Sequence, residues 1–440
     1  MASQQEQKQK QTIKSLLLEN FGIEVEFLQE GGTALVFTVS GENLLKLSKC
    51  CLSGISGISD SRSDGEKHVP VEIQLTPQQI RTKNFVVKIY KKTRAYQSFE
   101  KSFTETCDRL NTYREYISSI PSQEGRKSFL LPVSCGRIHI TDKFSSYFEI
   151  QEYGGMELLE VFNKVIIKRI VLSKPKIKNA LTSLVACLEG IVYIISTYKT
   201  MILDIKAENM VMNVEDGEVR MIDIDWVSIK DFKTSVKGRS FTATMKTMPG
   251  QMLARILHDL AEKDQRKYQK ARTFVDNLYD RQLWNDYTLF NPQQINAERQ
   301  KTKQVLSSIP SLLQHNDEMC VQLAYFHTGW SMLHIMLSVL KYVYVLQDER
   351  ITSQFYDNIV IPFHQLRLEN ATKENMDRLV LNLKEFISRN FQNQPRTRDR
   401  GQDGQYHQRK RKKSSSVPQE PKKKQQQQQR KQKPTICSIM

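Results

Sequence analysis

The stretch ILDIKAEN, residues 202–209, sets an Asp, a Lys, a Glu and an Asn into eight positions directly after a long apolar run. In that run Leu181, Leu184, Val185, Leu188, Ile191, Val192 and Ile195 recur at i, i+3, i+4 and i+7, the stripe of an amphipathic helix. Downstream, MVMNV and VRMIDIDW flank EDGE, so residues 210–226 predict a hairpin around an Asp-Gly turn. A hairpin folds its two ends together. Asp223, closing its second strand, is therefore expected to return beside Asp204 and Asn209, with the Lys206 ammonium in the same place.

Those residue types suit one kind of chemistry. Asp and Asn oxygens are hard ligands of the sort Mg²⁺ takes, with its other positions kept for water and phosphate. A carboxylate off the metal can orient an attacking hydroxyl, and a nearby Lys can hold developing negative charge. Phosphoryl transfer asks for little more, because its catalysis is mostly positioning and electrostatics. A polar turn that caps its own backbone uses the same residue types. The returning Asp223 separates the two readings.

Upstream, residues 24–39 read as strand, glycine turn and strand, and NFVVKIYKK (84–92) is a β-branched run holding Lys88. A Ser/Gly-rich insert (51–67) lies between them. Residues 98–116 read as helix and 136–153 as two strands. Beyond the hairpin, 251–325 reads as long, charged and mainly helical, and 373–390 as an amphipathic helix. WSMLHIMLSVLKYVYVL (330–346) contains His334 and Lys341 and falls short of a membrane span of about 20 residues, so a buried core helix is expected.

ILDIKAENMVMN followed by VRMIDID resembles the catalytic loop and metal-binding strand of eukaryotic protein kinases, H-R-D-L-K-P-E-N and D-F-G. QEGGTALV resembles the glycine-rich nucleotide loop, VVKI the lysine-bearing third strand, EIQEYGG the adenine hinge, and TGWSMLHIML the central helix of the large lobe. The resemblance implies an α+β, bilobal kinase-like fold with a small mainly-β N-lobe and a larger mainly-α C-lobe. Its parts would be a polar extension (1–19), an N-lobe (20–153, with a loop insert near 50–82), a C-lobe (154–393, with a helical insertion near 251–325) and a basic tail (394–440).

It also implies ATP and Mg²⁺. Gly31, Gly32, Val36, Lys88, Glu105, Gln151 and Tyr153 would serve the nucleotide, with Glu105 as ion-pair partner of Lys88. Asn209 and Asp223 would hold the metal, Asp204 would orient the acceptor hydroxyl and Lys206 would stabilise the transferred phosphate. Lys46 is a rival for the role of Lys88, and Glu100 for that of Glu105.

Several positions depart from the family pattern. Ile202-Leu203 replaces His-Arg, which puts a phosphorylated activation-loop switch in doubt. Asp225 replaces the D-F-G glycine, and IDIDW resembles the metal strand of aminoglycoside and choline kinases. Thr328 stands where an Asp braces the catalytic loop, and Met248-Pro249-Gly250 is at best a remnant of A-P-E. About a hundred residues separate Asp225 from Trp330. The expected function is that of a divergent Ser/Thr protein kinase. A kinase of the same fold acting on a small-molecule or lipid hydroxyl, and a nucleotide-binding pseudokinase scaffold, remain as alternatives.

Charge is unevenly placed along the 440 residues. From Arg396 onward there are 14 Lys and Arg against 3 Asp and Glu, a net of +11, which leaves +6 for the other 395. That Gln-rich, apolar-poor tail predicts disorder. It ends in CSIM, which reads as a C-a-a-X signal with Cys437 the prenylation site, preceded by RKRKK (409–413) and KKK (422–424). The expected location is the cytoplasmic face of an anionic membrane. Nuclear import through the same clusters is the alternative, and one aromatic residue in the tail (Tyr406) argues against nucleic acid. The N-terminal MASQQEQKQKQ has no apolar core of a secretory leader. Seven scattered cysteines suggest a reducing compartment rather than a disulfide framework.

Overall fold

The computed structural model describes residues 22–30, 34–44, 83–90, 109–141, 144–167, 169–229, 317–344 and 349–391, with a few positions in 11–19 and 293–304. The first 392 residues form one compact unit of mixed α+β structure, with sheet in the N-terminal part and mostly helices after it. The loop insert, residues 230–292, the tail, and Gly31, Gly32, Lys46, Glu100, Glu105 and Cys437 lie outside the described residues.

Five strands make the N-terminal sheet: β1 (Glu26–Glu30), β2 (Ala34–Ser40), β3 (Asn84–Tyr90), β4 (Pro132–Thr141) and β5 (Phe144–Glu152), ordered β1-β2-β3-β5-β4 and antiparallel throughout. Side chains alternate between the faces of a strand, and here the alternation sorts core from cleft. Leu35, Phe37 and Val39 of β2, Phe85, Val87 and Ile89 of β3, and Phe148 and Ile150 of β5 fill one apolar cluster. The opposite parity, Val36, Val86, Lys88, Tyr90, Glu149 and Gln151, lines a cleft instead.

The helical part is built on the predicted stripe. Helix α1 (described over 109–118) and the short α2 (Gln123–Lys127) precede it, and β6 (Met156–Glu157) leads into α3 (Leu158–Ile166). Then α4 (Lys174–Tyr198) runs through the main core with Leu181, Leu184, Leu188, Ile191 and Ile195 buried. By length and composition α4 could cross a membrane, yet 67% of its most apolar window is buried within the protein, as suits a core helix. The 330–346 stretch divides between α5 (Asp317–Ser338) and a π-helical turn (Val339–Tyr344), and Trp330 through Leu340 are buried. Helices α6 (Glu349–Phe355), α7 (Ile361–Gln365) and α8 (Lys373–Asn390) complete this part.

Candidate functional site

Two small ladders fold residues 200–228 back on themselves. Strands β8 (Met210–Met212) and β9 (Val219–Met221) form the expected hairpin, pairing Met210 with Met221 and Met212 with Val219. Its turn uses Asn213 and Asp216 side-chain oxygens to accept from the Glu215 and Glu218 N–H groups, and Gly217 takes φ 86°. Around the hairpin, β7 (Thr200–Ile202) pairs antiparallel with β10 (Trp226–Ser228), matching Ile202 to Trp226. The chain that enters the loop before Asp204 is thus hydrogen-bonded to the chain that leaves after Asp223. The Ile222 N–H also donates to the Asn209 carbonyl at 2.8 Å.

Inside this frame the loop residues hold one another. Lys206 Nζ lies 2.8 Å from Asp204 Oδ2, and Asn209 Nδ2 donates to the Asp204 carbonyl (2.8 Å) and to Oδ2 (3.2 Å). Lys206 and Asn209 are buried, whereas the Asp204 carboxylate stays partly open. With Nδ2 spent on Asp204, Oδ1 of Asn209 remains as its acceptor.

Asp223 sits at φ 53°, a left-handed conformation that non-glycine residues seldom take but Asp tolerates. Its Oδ1 accepts from Lys88 Nζ in an ion pair. Glu149, directly across from Lys88 in the β3–β5 register, is 8% exposed and shares the same face. Burial alone pulls the Lys88 pKa down, but Asp223 and Glu149 outweigh it and hold the value above normal. Burial pushes the Glu149 carboxyl up, with the Asp223 charge adding to the push and Lys88 and a Tyr90 hydrogen bond opposing it. Burial and the same two acids raise the Tyr90 hydroxyl well above its ordinary value.

These groups line a cavity of about 590 Å³. Its apolar wall is Leu28, Ala34, Val36, Val86, Val211 and Ile222, and its polar groups include Lys88, Glu149, Gln151, Glu208, Asp223 and Asp225. Tyr153, Gly154 and Gly155 close one edge. A Cβ on Gly155, which has φ 120°, would stand 2.2 Å from the Met212 carbonyl oxygen, so that edge needs glycine. Gln151 donates through Nε2 to the Leu130 carbonyl. Tyr113 Oη donates to Asp225 Oδ1 at 3.2 Å.

Of the residues singled out in the sequence, Val36, Lys88, Gln151, Tyr153 and Asp223 share the cavity wall, and Asp204, Lys206 and Asn209 share the adjoining loop. Lys88 meets Asp223, with Glu149 facing it from β5. No cluster of three His, Cys, Asp or Glu suited to a metal occurs among the described residues. Mg²⁺ asks for less, since one or two carboxylates with phosphate and water suffice. Asp223 and Asn209 carry oxygen donors of the type Mg²⁺ takes, and the Asp223 carboxylate is paired with the Lys88 ammonium.

Sequence reading missed two contributors. Glu149 looked like one more strand residue, although its parity with Gln151 placed it on the cleft face. His327 carries no sequence signal of a role. Its Nε2 lies 3.0 Å from the Leu203 carbonyl, and the ring is fully buried. Donation from that nitrogen ties α5 to the loop one residue before Asp204, while Thr328 Oγ1 is buried with no hydrogen-bond partner among the described residues. The brace thus comes from the residue before the expected one. Cys135 on β4 is disulfide-bonded, while Cys187 is a buried free thiol. Comparison with protein-family models and with curated protein sequences found no match.

Proposed function

We propose that the protein is a divergent Ser/Thr protein kinase that transfers the γ-phosphate of ATP, built on a kinase-like bilobal fold. The observation that carries this reading is the meeting of Lys88 with Asp223 on the cavity wall, beside the Asp204–Lys206–Asn209 cluster. The apolar strip of Val36, Val86 and Val211 offers a planar base its seat. Lys88 would hold phosphate oxygens, Asp204 would accept the hydrogen bond of an acceptor hydroxyl, and Lys206, paired with it, would steady the charge on the transferred group. Asn209 and Asp223 would hold Mg²⁺, whose chemistry when bound is to neutralise phosphate charge.

A second reading, transfer to a small-molecule or lipid hydroxyl, draws on Asp225, whose carboxylate lines the same cavity beside Asp223. The tail is assigned to anchorage at an anionic membrane, through RKRKK, KKK and Cys437 as prenyl acceptor. Unchanged membrane recovery of Cys437→Ser would overturn that assignment.

The test is transfer from γ-labelled ATP with Mg²⁺, comparing the intact chain with Asp204→Asn and Asp223→Asn. Basic and acidic proteins, the chain itself and inositol lipids are the acceptors. Label lost in both variants supports an enzyme, and the labelled acceptor decides between the two readings. Nucleotide binding without transfer in the intact chain overturns both in favour of a pseudokinase scaffold.

A further inference from the structure

Large apolar side chains are exposed at seven places among the described residues, and three of them fall within six positions: Ile166 (52% exposed), Ile167 (56%) and Val171 (77%). Scattered single exposures are ordinary, but a local group calls for a partner. These three sit where α3 passes into α4, in a stretch whose ends are pinned by Val165 and Leu172, both buried. Backbone hydrogen bonds hold it as well: Ile167 N–H donates to the Asn163 carbonyl, and Arg169 and Ile170 N–H groups both donate to the Lys164 carbonyl. The exposed aliphatic groups are thus presented by a backbone tied down on both sides.

Along the chain the charge here has one sign, although Glu160 and the exposed Glu215 and Asp216 of the β8–β9 turn lie close in space. Residues 161–188 contain six Lys and Arg and no Asp or Glu. Some of that charge is already engaged: Lys164 pairs with Glu160, Lys176 donates to the Val214 carbonyl, and Lys174 lies over the Phe391 ring. The Asp216 turn approaches Asn179 through its carbonyl. Among the described residues Arg169 and Lys178 have no carboxylate partner, and Arg169 lies between the exposed Ile167 and Val171.

We propose that Ile166, Ile167 and Val171 form a shallow insertion tip for an anionic lipid surface. The aliphatic groups would enter the acyl boundary while Arg169 and Lys178 meet the headgroups. Branched aliphatic side chains with no aromatic ring or hydrogen-bonding group give little for a protein partner to recognise. Three side chains also bury far less than the roughly 1,000 Å² that a stable protein interface needs. A bilayer requires no such area, because other contacts of the chain with the same surface add to it. The inference is independent of phosphate transfer and of any lipid on Cys437.

The experiment uses the full chain made without prenylation, carrying Val171→Trp, mixed with phosphatidylcholine vesicles with or without phosphatidylserine. The indole emission gained over the parent chain is expected to shift to the blue only with phosphatidylserine. In a second arm the doubly substituted Ile166→Ser, Ile167→Ser chain is sedimented with the same vesicles at raised salt, where tail attraction is screened. Its binding should fall by about fivefold or more, with an unchanged thermal midpoint as the folding control. Binding of the chain with no emission shift and no effect of the serines would show that the tail acts alone, and would overturn the proposal. An equal shift with soluble poly-glutamate would overturn it too, by moving the site to an acidic protein partner. Phosphate transfer that persists through either failure leaves the proposed function standing.

Discussion

Lys88 of β3 and Asp223 after β9, 135 residues apart in sequence, form an ion pair on the cavity wall, and Glu149 faces the same ammonium from β5. One cation between two carboxylates makes Lys88 the group that lets both acids share the site. Lys88→Ala is expected to lower transfer by about 10²-fold or more and to weaken nucleotide binding. Steady-state kinetics with ATP titration checks this, and activity within about threefold of the parent would sink it.

Asp204→Asn keeps the shape of the side chain and the contact with Lys206 but removes the charge that, in the proposed function, would receive the acceptor proton. Transfer should fall by about 10²–10⁴-fold while nucleotide affinity holds. Asn209→Ala should instead raise the Mg²⁺ concentration needed for half-maximal rate, because it removes a hard oxygen and frees the Asp204 carboxylate. Magnesium titrations of the two variants separate these effects.

Glu149 carries a pH signature. Its carboxyl is raised above the ordinary value of 4.5 in the folded protein, so the native state binds the proton more tightly than the unfolded chain. Stability is then greatest below 4.5 as far as this group is concerned, and declines as pH rises from 4.5 through the raised folded value. Glu149→Gln removes that slope. Thermal midpoints across this window should fall less steeply in the variant than in the parent, and parallel curves would refute the assignment.

His327 holds the loop from the core. His327→Ala leaves the Leu203 carbonyl unpaired and opens a hole in α5, at a cost of about 2–4 kcal/mol. Denaturant midpoints should show it, and transfer should fall with it. His327→Gln keeps an N–H at the reach of Nε2 and should recover part of both losses. Equal loss in the two variants would point to packing alone.

Gly155→Ala is the backbone counterpart. A φ of 120° and a Cβ 2.2 Å from the Met212 oxygen both oppose a side chain. A destabilisation of about 2 kcal/mol or more is expected, with weaker nucleotide binding because the residue edges the cavity.

What could be read from sequence follows the range of the forces involved. The apolar stripe of α4, the hairpin and its Asp-Gly turn are local patterns, and the structure carries them where periodicity put them. The β-branched run at 84–92 forms the strand β3 (Asn84–Tyr90), but the sorting of Phe85, Val87 and Ile89 from Val86, Lys88 and Tyr90 between its faces came from the structure. Contacts between distant segments were less legible. Nothing in the local pattern says that Glu149 stands opposite Lys88, because strand register is decided by pairing between segments some sixty residues apart. His327 was hidden for the same reason: its partner is a backbone carbonyl 124 residues away, and a carbonyl has no sequence signature. The Cys135 disulfide depends likewise on proximity that spacing alone does not reveal.

The β7–β10 ladder bears on how far such a sequence can drift. It joins the two sides of the site through peptide groups, so the separation of Asp204 from Asp223 depends little on which side chains lie between. Exchange of the side chains at 202, 203 and 225 alters the packing around the site and, at 225, its lining, while leaving the scaffold bonds in place. Chains that differ in side chains at those positions can therefore keep the same arrangement of backbone.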